Sequence, residues 1–214
     1  MEDRFIISPV ADLGTIDYSV SLNLQRKLVE RVRARKIGDV LLFLDHLPVF
    51  TVGRGKRPEN YAGVEVKETE RGGDVTYHGP GQLVAYPIID LERNGINDVR
   101  KFVHLIEDVI ISSIRKSGYV GEVGEEPGIW VGERKVASIG LAIRDKVSFH
   151  GLSVNISKEV LSGFNRINPC GLNPDTIGFV NIDREDLKME LRRSFERSIH
   201  PFTEVSADFF NEMV

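Results

Sequence analysis

Between Tyr18 and Gly38, Val20, Leu24, Leu28 and Val32 recur every fourth residue among Arg, Lys and Glu. That spacing predicts one apolar stripe on an amphipathic helix, with Gly38 at its end. A second stripe, Val99, Phe102, Val103, Ile106, Val109, Ile110 and Ile114, predicts a helix over 97–117 that Asn97 can cap and Gly118 can terminate. A third, Leu187, Leu191 and Phe195, is opened by Asp183, and acids precede bases along it as the helix dipole favours. A last short helix is expected around 207–213.

The other apolar segments lack this period. "DVLLFLDHLPVFTVGRG" is a near-continuous apolar run, a His-x-Pro break and a second short run, which predicts two buried strands around a turn. "GGDVTYHGPGQLVAYPIIDL" reads as strand, loop, strand. "GIWVG", "KVASIGLAI" and "VSFHGLSVNI" follow with short polar breaks between them, as in a meander of hairpins. Near the start, the apolar run Phe5 to Ile7 is stopped by Ser8 and Pro9. Grouped strands with flanking helices predict an α+β fold with a mixed, largely antiparallel sheet rather than alternating βαβ units. With no repeat, low-complexity tract or linker, residues 1–214 are expected to form a single domain.

Composition narrows the class. A chain of 214 residues, 41% hydrophobic and 28% charged, can bury a sizeable core. The formal charge of −4 disfavours a nucleic-acid binder, which would carry a basic face. No stretch approaches the ~18 apolar residues that cross a bilayer. The start "MEDRFIISPV" lacks the basic and apolar regions of a signal peptide, so a cytoplasmic location is expected. One cysteine excludes an intramolecular disulfide and a multi-cysteine metal site.

Glycine-flanked clusters hold the candidate chemistry. In "RGGDVTYHGPGQ", residues 71 to 82, glycines allow a ligand close to the backbone, and Arg71, Thr76, Tyr77, His78 and Gln82 supply polar groups. The same composition suits a plain hairpin turn. It matches neither a phosphate-cradling G-x-x-x-x-G-K-[ST] loop nor a dinucleotide fingerprint. "GERKVASIGLAI" places Lys135 at the start of an apolar strand, either as a solvated charge or as a buried amine able to take a proton. His46, His78 and His150 all lie next to turns, yet their spacing matches no zinc motif and no metal is expected. In "FNRINPCGLNPD", Pro169 and Gly171 hold Cys170 on a tight turn. It is either a packed small hydrophobe or a nucleophile whose positive neighbour is Lys135, His78 or His150.

Taken together, "RGGDVTYHGPGQLVAYPIIDL", "GIWVGERKVASIG", "FHGLSVNI" and "INPCG" resemble, in order and spacing, the lipoyl(octanoyl) transferases. The likeness runs from "DHLPVFTVGRG" to the cysteine loop. One departure is Asp45 and Leu47, where the family often has Glu and Pro around the histidine. The resemblance implies a fold shared with biotin-protein and lipoate-protein ligases, and transfer of an octanoyl group from acyl carrier protein to a lysine of a lipoyl domain. It implies acceptors among the lipoyl domains of 2-oxoacid dehydrogenases and the glycine-cleavage H protein, with no ATP, metal, nucleic acid or membrane involved. A monomer is expected.

Carried over by position, Cys170 matches the nucleophile that holds the acyl group as a thioester. Lys135 matches the lysine that lowers the thiol's pKa and acts as acid and base. Arg71, Gly72, Gly73, Asp74, Val75, Thr76, Tyr77 and His78 match the substrate-binding loop. Ser138, Ile139 and Gly140, with Gly151, Leu152 and Ser153, complete the acyl pocket. In this reading Val75, Tyr77, Ile139 and Leu141 line an apolar channel, and amides near Gly171 serve as oxyanion donors. Arg54, Lys56 and Arg57 are expected to form a basic patch for the acidic carrier. A lipoate-protein ligase, in contrast, would use Lys135 and ATP without requiring Cys170.

Overall fold

The computed structural model describes residues 6–124 and 126–213. Phe5, predicted to begin an apolar run, lies outside them; Ile6 and Ile7 are exposed, and the first element among the described residues is strand β1 (Pro9–Ile16). Helix α1 (Tyr18–Arg33) follows, capped by Asp17, whose carboxylate accepts from the amides of Ser19 and Val20. Leu24, Leu28 and Val32 are buried as the stripe predicts, but Val20 is 49% exposed. A period of 3.6 drifts away from a strict repeat of four, so Tyr18, Leu22, Gln25 and Val29 fill the buried face instead. The helix stops short of Gly38 because Arg35 turns left-handed, at φ 54°.

Next come β2 (Val40–His46), β3 (Val49–Val52), β4 (Lys67–Glu68), β5 (Val75–His78) and β6 (Gln82–Ile88). Helix α2 (Val99–Arg115) is capped by Asp98 rather than Asn97, through the amide of Arg100. The predicted meander is β8 (Gly128–Val131), β9 (Arg134–Arg144) and β10 (Val147–Asn155), preceded by β7 (Glu122–Val123). Short helix α3 (Leu161–Phe164), α4 (Arg184–Ser198) capped by Asp183, and β11 (Thr203–Glu204) complete the chain before a 3-10 helix over Ala207–Met213.

Among the described residues the strands form an eight-stranded sheet, β11-β1-β2-β6-β10-β9-β8-β7, and a three-stranded one, β4-β3-β5. β1 runs parallel to both neighbours; the pairs from β2 to β7 are antiparallel. Leu41 and Phe43 face α2 and α4, whereas Val40, Leu42 and Leu44 face α1. Burial on both faces is why residues 40–44 read as a continuous apolar run. No described helix is long and apolar enough to cross a membrane.

Neither the turn expected after His46 nor the loop expected after His78 joins strands that pair with each other. β2 and β3 belong to different sheets, and so do β5 and β6. The breaks at Leu47 and Pro48 and at Gly79 to Gly81 carry the chain from one sheet to the other; a proline there cannot donate to a ladder. The junction between the two sheets is where the chemistry collects.

Candidate active site

A cavity of about 390 Å³ opens at this junction, between β9, β10, the loop before β5 and the turn that carries Cys170. The β9–β10 ladder sets opposite one another Ser138 and Ser153, Ile139 and Leu152, and Gly140 and Gly151. All six line the cavity, as do Arg71, Gly72, Gly73, Val75, Thr76, His78, Lys135, Leu141 and Cys170.

Three predicted residues, Tyr77, Asp74 and Gln82, are not on its wall. Tyr77 points into a separate apolar cluster, with its ring 5.2 Å from Phe50 and 5.9 Å from Phe164. Asp74 instead braces the cysteine region: its carboxylate accepts from the Arg57 amide at 2.9 Å and from Asn60 Nδ2, and the Asn60 carbonyl accepts from the Asn168 amide.

Cys170 sits in the turn Pro169–Gly171 with φ 56°, a left-handed conformation that costs a non-glycine residue about 1–3 kcal/mol. The amides of Gly171 and Leu172 donate to Asn168 O and Pro169 O, each at 3.0 Å. They close the turn and are committed there, which corrects the expectation that they serve as oxyanion donors.

Lys135 enters the cavity from the start of β9 and is only 4% exposed, so it is a buried amine and not a solvated charge. Burial lowers its pKa; the charges of Cys170 and Glu126 oppose that shift without overturning it. Its aliphatic stem needs Gly128 beside it. A Cβ there would stand 2.7 Å from Lys135 Cε and 2.3 Å from Ala137 O, and the Gly128 φ of +144° disfavours any side chain. Gly128→Ala is therefore expected to displace the amine and cut turnover about tenfold or more, measured beside a thermal melt.

Arg71 crosses β9 where Gly140 leaves room: its Cδ lies 3.0 Å from the position a Cβ would take. Its guanidinium is buried, which lowers its pKa, and it donates to Thr51 O at 2.8 Å, Thr51 Oγ1 and Gly72 O. The Gly72 amide donates to Leu141 O at 2.8 Å and ties this loop to β9.

Beyond Arg71 the wall is polar. His150, left-handed at φ 57°, has Nδ1 3.5 Å from the Tyr18 hydroxyl and Nε2 3.7 Å from Glu70 Oε2, while its amide donates to Gln25 Oε1. Burial pushes its pKa down to about 4, with Glu70 opposing. His46, also held near 4 by burial, donates through Nδ1 to Ile16 O, so its Nε2 accepts from the Tyr86 hydroxyl at 2.7 Å. Among the described residues no three His, Cys, Asp or Glu side chains converge on a metal position. Asp45, in the departure noted above, pairs with Arg184 at 2.9 Å, and Leu47 is exposed.

Sequence reasoning missed Tyr18, Tyr86, Val99, Val103, Leu172 and Ile177 on the cavity wall. Tyr18 and Tyr86 are ordinary core aromatics by pattern. Val99, read from the sequence as part of the apolar stripe of α2, is instead exposed in its first turn.

Residues 17–196 match the family model of the lipoyl protein ligase A/B catalytic domain. An octanoyltransferase of Geobacter metallireducens is 42% identical over 168 residues, covering 76% of this chain and 77% of that protein. Lipoate-protein ligase A bound with ATP superimposes with a TM-score of 0.79 at 15% identity, over 97% of this chain and 92% of that one. A biotin acetyl coenzyme A carboxylase synthetase from Helicobacter pylori does so with a TM-score of 0.55 at 9% identity, over 90% and 75%. Those two likenesses speak for the fold, which is that of lipoate-protein and biotin-protein ligases. The sequence match goes further: the chain belongs to the lipoyl protein ligase A/B catalytic domain family, in its octanoyltransferase group, and is an acyltransferase.

Proposed function

We propose that the protein transfers an octanoyl group from octanoyl-acyl carrier protein to a lysine of lipoyl domains, through a thioester on Cys170. The observation that carries this is the meeting, in one cavity, of the chain's single cysteine and a buried lysine of lowered pKa. Neutral Lys135 takes the thiol proton, and the thiolate attacks the donor thioester carbonyl. The donor's C–S bond breaks, and its thiolate leaves with the proton from Lys135. The acceptor amine, arriving neutral, then attacks the Cys170 thioester. Lys135 accepts the proton that amine sheds and returns it to the departing Cys170 sulfur. No ATP or metal takes part, and the site of action is the cytoplasm.

The eight-carbon chain lies along the β9–β10 ladder against Val75, Ile139, Leu141 and Leu152. At ~0.8 kcal/mol per buried CH2, it contributes several kcal/mol of binding. Intact-protein mass spectrometry after mixing with octanoyl-acyl carrier protein, without ATP, tests the scheme. One added octanoyl group, released by hydroxylamine, is expected. Transfer that instead requires free octanoate and ATP would assign the ligase reaction.

Donor docking on the cysteine side is part of this reading. Arg57 Nη1 is 3.7 Å from where a Gly171 Cβ would stand, Arg54 is exposed in the same loop, and exposed Arg166 lies over the Phe50 ring. Lys56 faces Glu68 at 2.8 Å, which cancels its charge locally. Arg54→Glu with Arg57→Glu is expected to raise KM for the carrier-bound donor about tenfold at low salt. The effect should fade at high salt and be absent with a small octanoyl thioester; equal KM values for wild type and variant at low salt would remove the patch from the scheme.

A further inference from the structure

A chain of buried amides starts at the cavity wall and ends on the backbone of Lys135. Gln82 Nε2 donates to Tyr77 O at 3.2 Å and to Asn155 Oδ1 at 2.9 Å, so Gln82 Oε1 accepts from His78 Nδ1–H at 3.1 Å. A carbonyl only accepts, and that fixes each amide's orientation and the tautomer of His78. Asn155 Nδ2 donates in turn to Gly178 O at 2.8 Å. The Gly178 amide donates to Lys135 O at 2.9 Å, and Ile177 bridges alongside Lys135. Gln82 and Asn155 are register partners on β6 and β10, so the sheet itself holds the two amides together. Both are buried, at 1% and 4% exposure, and neither reaches the cavity.

We infer that Asn155 is a positioning residue for Lys135: it holds the segment that follows the cysteine loop closed over the lysine, and through Gln82 it presents His78 Nε2 as a fixed acceptor in the cavity wall. This rests on the acyl-transfer reading above. Lys135 is faced by Cys170 and Glu126, and the cover over its backbone is the segment Ile177 to Gly178. Losing the Asn155 side chain frees Gly178 O and loosens that cover. The segment stays tethered, because the Val180 amide donates to the main-chain carbonyl of Asn155 at 2.9 Å. Water then reaches Lys135, which holds its proton more firmly.

The test uses Asn155→Ala in the full chain, with octanoyl transfer measured against pH and the 13Cε resonance of Lys135 titrated by NMR. Transfer is expected to fall by up to about a hundredfold with KM little changed, the pattern of a misplaced catalytic group. Both the rising limb of the pH profile and the Lys135 titration should move to higher pH. Should that variant prove too unstable, Asn155→Thr fills the volume with a hydroxyl too short to reach Gly178, and the same shift is expected. A Lys135 titration that stays at its wild-type position overturns the proposal, whatever the activity does. Full transfer by Cys170→Ser would instead sink the thioester reading and leave the titration as a separate test of Asn155.

Discussion

Cys170→Ser is expected to leave a folded protein that transfers octanoyl at no more than about a thousandth of the wild-type rate and gains no acyl mass. Serine is nearly isosteric and meets the same left-handed turn, so the geometry of Pro169–Gly171 survives the exchange. What is lost is acidity: an amine takes a proton from a thiol far more readily than from an alkyl hydroxyl, and an oxygen ester is a poorer donor to an incoming amine. Rates measured with carrier-bound octanoyl donor, beside circular dichroism to show the fold intact, check the prediction. A variant that retains a tenth of its activity or more would return Cys170 to the status of a packed side chain.

Lys135→Met is expected to reduce transfer by a comparable factor and, in the opposite sense, to raise the melting temperature at neutral pH. The sign follows from burial. The amine's folded pKa lies below its ordinary 10.5, because desolvation outweighs the attraction of Cys170 and Glu126. Its contribution to stability is therefore fully present above pH 10.5 and is lost as pH falls from there through the folded pKa. Below that window the wild type bears a standing cost that methionine, of similar length and apolar, does not. Each kcal/mol relieved should appear as a rise of about 2–4 °C for a chain of this size. In the wild type, transfer should climb with pH as Lys135 loses its proton, a limb the variant lacks. An unchanged or lower melting temperature for Lys135→Met at pH 7 would show that the amine is better solvated than its surroundings suggest.

Much of the fold was legible because helices announce their buried face by period. The stripes at 99–114 and 187–195 needed little correction, and the meander from Gly128 to Asn155 was marked by its polar breaks. Which strand pairs with which was not legible. Alternation looks the same whether a chain folds back on itself or crosses to another sheet, so the breaks after His46 and after His78 read only as a turn and a loop. The first strand, Pro9–Ile16, was missed for a related reason: its polar Asp12 and Gly14 hide the period at an edge-like position.

For the site, residue types alone left Cys170 and Lys135 as open alternatives, and only the resemblance joined them. They are distant in sequence, and nothing local signals that the cysteine turn lies against the start of β9. Tyr77 was misplaced because it neighbours two residues that do face the cavity; its side chain instead packs on Phe50 and Phe164. Asn155 was the quietest of all, since a polar residue at a strand end is unremarkable until its partner across the ladder, Gln82, is known.

The join between the two sheets has a mechanical consequence. Strand β9 belongs to one ladder and the loop before β5 hangs from the other, with the Gly72 amide bonded to Leu141 O across the line between them. Parting along that line stretches side-chain contacts and a short series of bridging bonds while each ladder remains whole. Under the proposed function both substrates arrive on proteins, so a tethered chain has to enter and a lysine follow it. The seam between the two ladders is the line where the fewest backbone bonds would have to yield.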